Sequence, residues 1–240
     1  MSSAVEDTLT VRVWEALDTV VDPELDQPIT ELGFVEGLDV TADSAGGRRV
    51  RLRLRLPTYF CAPNFAYLMV ADAHDAASAV RGVSSVRVEL EDHFAADEIN
   101  AGVAAEAGFG GSFPEQATGE LSDLRAAFRR KAHLACLERA CRRLIDDGWE
   151  IDALADGRIG DLPASQERDS LLRRRSELGL RTELDAPLFV EDSGDRVPSD
   201  QVAKRLRFAK AVRVSIDGNA GVCRGLLQTR YQRIAQEGEG

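Results

Sequence analysis

Residues 48–57 read RRVRLRLRLP, and no other run constrains the fold as tightly. Val50, Leu52, Leu54 and Leu56 alternate with Arg51, Arg53 and Arg55. A period of two puts the aliphatic groups on one face and the arginines on the other, so the run predicts a β-strand with one buried face. Before it, residues 34–41 predict another strand, and ADSAGG (42–47) predicts a tight turn, so these two strands pair antiparallel. After it, Phe65, Leu68, Met69, Ala76 and Val80 follow helical spacing as far as Gly82. Val83, Val86, Val88 and Leu90 then predict a third strand. A helix joining strands two and three makes them parallel, with a right-handed crossover.

Upstream, Leu9, Val13, Leu17 and Val20 form a helical stripe with Trp14 beside it, and the helix ends before Pro23. DPELDQPITELG (22–33) predicts a loop, and residues 96–107 predict a short closing helix. The fold class is therefore α+β: a small domain of order α-β-β-α-β, then α, with a three-stranded mixed sheet. The Gly-rich, Pro-containing stretch AGFGGSFPEQATGE (107–120) resists helix and strand alike and marks a boundary. It divides an α/β domain (1–112) from a mostly helical region (120–240), with 113–119 as linker. In the second region, helices are expected over about 120–147 (stopped by Gly148), 165–178, 199–210 (capped by Ser199) and 222–235. VRVSIDGNAG (212–221) predicts a short strand and turn.

Charge narrows the partners. Residues 1–119 carry 8 Lys/Arg against 20 Asp/Glu, and residues 120–240 carry 22 against 21. An acidic first half repels phosphate, so no nucleic-acid partner is expected. The basic run Arg173, Arg174, Arg175 reads as a solvated helix face. No apolar run reaches the length of a membrane span, and the acidic, amphipathic N-terminus has none of the features of a secretion signal. The cysteines at 61, 136, 141 and 223 form no CxxC pair, which suits a reducing cytoplasm and excludes a preformed four-cysteine zinc knuckle.

Topology also gathers the chemistry. The start of strand one and the ends of strands two and three lie at the same sheet edge, where open α/β sheets place ligands. That edge collects Asp22, Glu24 and Asp26, then Thr58 and Cys61, then His93 with Asp97 and Glu98. Cys61 precedes a helix with Pro63 near its first position, where free N–H groups and the helix dipole favour a thiolate. A thiolate binds soft metals or attacks electrophiles; the simpler alternative is a small buried hydrophobe. Elsewhere, His133 and Cys136 lie three apart on a helix and could share a metal face, but the favoured reading is that Cys136 packs and His133 meets water. Cys141 falls on the apolar stripe. Cys223, in NAGVCRG, follows a predicted turn and precedes a helix, which makes it a second candidate thiol.

Three blocks in order, VVDPEL (20–25), ELGFVEGLDV (31–40) and LPTYFCAP (56–63), followed by GVSSVRVEL (82–90), resemble the SufT/PaaD-like family of iron–sulfur cluster assembly proteins. The resemblance covers about residues 8–105. It carries the family motif onto Asp22, Glu24, Thr58 and Cys61, and it implies that the cysteine handles an iron–sulfur cluster or its metal. Tyr59 and Phe60 stand where members commonly have Pro-Gly, Ala62 separates Cys61 from Pro63, and Phe94 stands near the usual tryptophan. The implied function is a maturation factor that transiently holds an iron–sulfur cluster or iron for a client metalloenzyme, an oxygenase subunit being one such client. One cysteine cannot complete a four-coordinate site. A homodimer, a client ligand, or His93 with carboxylates would have to complete it. Two other readings are a scaffold that grips a client subunit, and a thiol enzyme with Cys61 as nucleophile and His93 as base.

Overall fold

Strand β4 (Arg48–Arg55) is the middle of a three-stranded sheet in the computed structural model of the chain, which describes residues 2–43, 46–113 and 121–237, with side chains over 8–43, 46–113 and 121–231. It pairs antiparallel with β3 (Val35–Ala42) and parallel with β5 (Val83–Glu91), the mixed topology expected from the connections. Val50, Leu52 and Leu54 are buried on one face. On the other face the arginines pair with carboxylates of both neighbours: Arg51 with Glu89 at 2.7 Å, Arg53 with Asp39 at 3.1 Å, and Arg55 with Glu36 and Glu91, each at 2.9 Å. The period-two pattern thus separates a core face from a charged face.

Helix α1 (Ser2–Leu17) buries Leu9, Val13 and Leu17, and helix α2 (Pro63–Ser78) buries Ala66, Tyr67, Met69, Val70, Ala73 and Ala77 against the same core. Within the loop after α1, β1 (Val21–Asp22) and β2 (Gln27–Pro28) form a two-residue antiparallel ladder that the sequence did not predict. After β5 come α3 (Ala96–Ala104) and a short α4 (Gly108–Ser112). Two expectations change here. Residues 108–112 are helical despite their glycines, and Phe113, assigned to the linker, is buried in the core with Phe109 beside it at 5.0 Å between ring centroids. The rest of the expected linker, 114–119, lies outside the described residues.

The chain divides into two compact units. The first runs to Leu121 and resumes at Asn219; the second is Ser122–Gly218. The sequence reading placed all of 120–240 together, whereas residues from Asn219 on pack with the first unit, with Ala220 fully buried in its core.

The second unit is built from α5 (Leu121–Asp146), two short 3₁₀ turns (Ile151–Asp156 and Ile159–Asp161), α6 (Gln166–Glu177) capped by Ser165, and the first part of α7 (Ser199–Glu237). VRVSIDGNAG is not a strand and turn; it lies inside α7. Its alternating Val212, Val214 and Ile216 mimic a strand, but Arg213 bonds Asp217 one helical turn away at 2.7 Å, and Ile216 is buried. The run Arg173–Arg175 is not a solvated face either. Arg175 is 0% exposed and donates to the carbonyls of Arg181, Pro187 and Leu188, which ties down the irregular segment after α6. Arg174 is also buried and pairs with Glu177 at 2.7 Å. His133 and Cys136 are both buried, so His133 does not meet water as the simpler reading expected.

Candidate metal-handling site

Three loops converge at one edge of the sheet. The first is Asp22–Asp26, shaped by the Asp22 carboxylate. Its Oδ1 accepts from the backbone N–H groups of Glu24 and Leu25, each at 2.9 Å, and Asp26 takes a left-handed φ of 53° that closes the β1–β2 turn. Asp22 is buried, and burial pushes its carboxyl up to about 6 against the pull of those two N–H groups; neighbouring Glu24 adds to the rise. A carboxylate held near its titration point is characteristic of functional positions.

The second loop, Thr58–Ala62, carries Cys61. The Thr58 hydroxyl lies 3.3 Å from the Cys61 Sγ and accepts from the Phe60 N–H at 3.3 Å, so one side chain shapes the turn and touches the thiol. Helix α2 then begins at Pro63, whose fixed φ suits a first helical position and whose lack of an N–H leaves no orphan donor there. Cys61 is half-buried.

The third loop follows β5. Ala95 N–H donates to His93 Nδ1 at 3.2 Å, so Nδ1 carries the lone pair and the proton sits on Nε2, which donates to the Cys61 carbonyl at 2.7 Å. Burial is the main cause that holds this imidazole below its ordinary pKa, with Arg230 adding to the fall and the Cys61 carbonyl opposing it. Both ring nitrogens are thus engaged. A metal-ligand role or a general-base role for His93 would first have to break one of these bonds. A second tie, Phe94 N–H to the Tyr59 carbonyl at 3.2 Å, closes the two loops together. The aromatic side chains of Tyr59, Phe60 and Phe94 stand outward, 46%, 77% and 47% exposed, with centroids 5.1–6.4 Å apart. They form an apolar rim beside the thiol.

Cys223 joins this edge from α7. It is not placed after a turn, as its glycine-rich surroundings suggested, but in mid-helix, half-buried against the core that holds Cys61. Its thiol is pushed up to about 11, first by burial and then by the negative charge of Asp22, with Glu24 adding to the rise. The sequence signal was present as Ala220, Cys223 and Leu227 at helical spacing, and the false strand assignment hid it. Asp97 and Glu98 fall in the first turn of α3, where their charge complements the helix dipole. Cys141 is fully buried and its thiol is pushed up by burial, which fits core packing. Among the described residues, no three His, Cys, Asp or Glu side chains are grouped so that they could hold a metal ion.

The fold and site define a class: a small mixed-sheet α+β domain that presents a cysteine in the turn between its middle strand and a Pro-initiated helix. Residues 10–90, about a third of the chain, match the family model described as iron-sulfur cluster assembly protein, so the N-terminal domain is similar to an iron–sulfur assembly domain. The match contains Asp22, Glu24, Thr58 and Cys61 and stops short of His93 and Cys223. It supports a role in iron–sulfur cluster assembly in general. No curated protein matches the chain. Among the described residues, no helix is long and apolar enough to cross a membrane.

Proposed function

We propose that this protein is a maturation factor that takes up iron or a nascent iron–sulfur cluster at Cys61 and passes it to a client metalloenzyme, an oxygenase subunit being one candidate client. The observation that carries this reading is the Cys61 thiol itself. It lies in the matched domain, half-exposed and touched by Thr58, in a turn clamped from behind by His93. A thiolate is the protein ligand that iron–sulfur chemistry requires. A site short of a full ligand set binds its cargo weakly and leaves open positions, which suits transfer rather than storage. The missing ligands come from the client or from a second copy of the chain, and the aromatic rim of Tyr59, Phe60 and Phe94 offers apolar contact area for that partner. Free thiols support a reducing compartment, such as the cytoplasm, as the setting of this chemistry.

The test is transfer. The protein, loaded anaerobically with iron and sulfide, is mixed with an apo-ferredoxin, and holo-ferredoxin is followed by its visible absorption. Wild type should donate and Cys61→Ala should not; equal donation by both would remove Cys61 from the mechanism.

A scaffold role is the second reading, favoured by the same exposed aromatic rim. It predicts that Cys61→Ala keeps client activity in cells while the double variant Phe60→Asp, Phe94→Asp loses it.

A further inference from the structure

Arg230 lies far beyond the matched segment, yet it ties together the two strand ends from which the site's loops depart. Its guanidinium donates to the Leu56 carbonyl at 3.2 Å through one terminal nitrogen and to the Asp92 carbonyl at 2.7 Å through the other. Leu56 directly follows β4 and stands two residues before Thr58, whose hydroxyl touches the Cys61 thiol. Asp92 directly follows β5 and stands next to His93, whose Nε2 donates to the Cys61 carbonyl. Asp92 also takes a left-handed φ of 53°, a conformation that costs a residue with a Cβ. Such a cost persists only where neighbouring groups hold the turn, and the Arg230 bond to the Asp92 carbonyl is such a hold. A guanidinium is planar and its donors are fixed in a fork, so bonding both carbonyls at once sets the separation of the two loops. The next residue, Tyr231, has its ring 4.9 Å from the guanidinium of Arg55, the last residue of β4, which seats this part of α7 on the same strand end. Earlier in the helix, Arg224 donates to Gln27 Oε1 and Asn219 Nδ2 lies 3.5 Å from Glu24 Oε1, a separate fastening to a different loop.

We infer that Arg230 is a positioning residue for Cys61 in the function proposed above, on which this inference rests. It acts through the two loops and not as a ligand, because a guanidinium stays protonated and offers only donors. From the Leu56 side it sets where Thr58 meets the sulfur. From the Asp92 side it holds the turn that aims His93 at the Cys61 carbonyl. The Phe94 N–H closes the loops near their tips by donating to Tyr59, and Arg230 closes them at their bases. A thiol held in one place offers its cargo to an incoming client ligand in one geometry, and the rate of exchange depends on that geometry. The long C-terminal helix then has a role at the site: it supplies a clasp from outside residues 10–90.

The full reduced chain is compared as wild type, Arg230→Ala, Arg230→Lys and Arg224→Ala. Two readouts need no metal: the rate at which iodoacetamide alkylates Cys61, followed by peptide mapping, and the hydrogen exchange of the Phe94 and Ala95 amides, which bond Tyr59 and His93. Arg230→Ala should raise these rates by about tenfold, the effect on a local opening of losing bonds from a charged donor. Arg230→Lys keeps the charge and can reach a carbonyl, so it should recover part of the loss. Arg224→Ala loosens the same helix at the other loop and should stay near the wild-type rates. Loaded anaerobically with iron and sulfide, Arg230→Ala should donate to apo-ferredoxin about tenfold more slowly per bound iron than wild type. If Arg230→Ala matches Arg224→Ala in alkylation and exchange, the clasp is overturned and the Cys61 reading stands. Loosened loops with wild-type transfer per bound iron would overturn the positioning role alone. Equal donation by wild type and Cys61→Ala would overturn the Cys61 reading and this inference with it, whatever the metal-free rates.

Discussion

His93 gives its Nε2 proton to the backbone carbonyl of Cys61, 2.7 Å away, and not to the thiol. The imidazole therefore fixes where the sulfur stands without competing for it. Removing the ring orphans two backbone groups, the Cys61 carbonyl and the Ala95 N–H. His93→Ala should lower unfolding stability by about 1–3 kcal/mol in urea titrations. It should also speed alkylation of Cys61 by loosening the turn. His93→Gln, which can restore the donor to Cys61, should recover part of both effects. Unchanged stability and alkylation in His93→Ala would remove the clamp.

Asp22 is a buried carboxylate whose folded pKa, about 6, lies above its ordinary 3.8. A raised folded pKa means that the associated stability is full below the unfolded value and is lost as pH rises through 6. At pH 7 the wild type thus bears the cost of an ionised buried group. Asp22→Asn keeps an oxygen for the N–H groups of Glu24 and Leu25 and removes the charge. It should raise stability at pH 7 by on the order of 2 kcal/mol, with the gain gone below about pH 4. Denaturation curves at the two pH values check this.

The topology that brings Cys61, His93 and the Asp22 loop together was legible before any coordinates. The alternation at Val50–Leu56 specifies a half-buried strand, and the connection types then dictate which strand ends meet. What was not legible was tertiary. The Val212–Ile216 alternation favours a strand on propensity alone, and only the burial of Ile216 and the ion pairs of Arg213 with Glu138 and Asp217 make it helical. With the helix broken there, Cys223 had no route to the site. The arginines at 174 and 175 were misread for the same reason: the carbonyls that satisfy Arg175 lie 6 to 13 residues away in an irregular segment.

In the second unit, burial holds His133 at about 4, with the nearby positive charges of Arg175 and Arg205 adding to the fall. A histidine with a depressed folded pKa keeps its stability above the unfolded value of 6.5 and loses it as pH falls through 4. This unit should lose roughly 3 kcal/mol between pH 7 and pH 4 from this group. His133→Leu should flatten that loss, since its buried Nε2 has no hydrogen-bond partner. Hydrogen exchange along α5 at pH 7 and pH 4.5, in wild type and variant, reads the difference.

Glycines in α7 offer a contrast. A methyl group added at Gly221 or Gly225 would meet nothing within 4 Å. Each change to alanine should raise stability by up to about 1 kcal/mol. Gly33→Ala should instead destabilise by about 1–2 kcal/mol, because its φ of 76° lies in the left-handed region that only glycine adopts freely. Thermal melts of the three variants separate these outcomes by sign.

The central claim is that Cys61 binds the iron, and iron content after reconstitution tests it most directly. Wild type and Cys61→Ala are incubated anaerobically with ferrous iron and sulfide, desalted, and assayed for iron per chain. The account predicts bound iron with sulfur-to-iron absorption in wild type and near-background iron in Cys61→Ala. Equal iron in the two proteins, with both folded by circular dichroism, would contradict it.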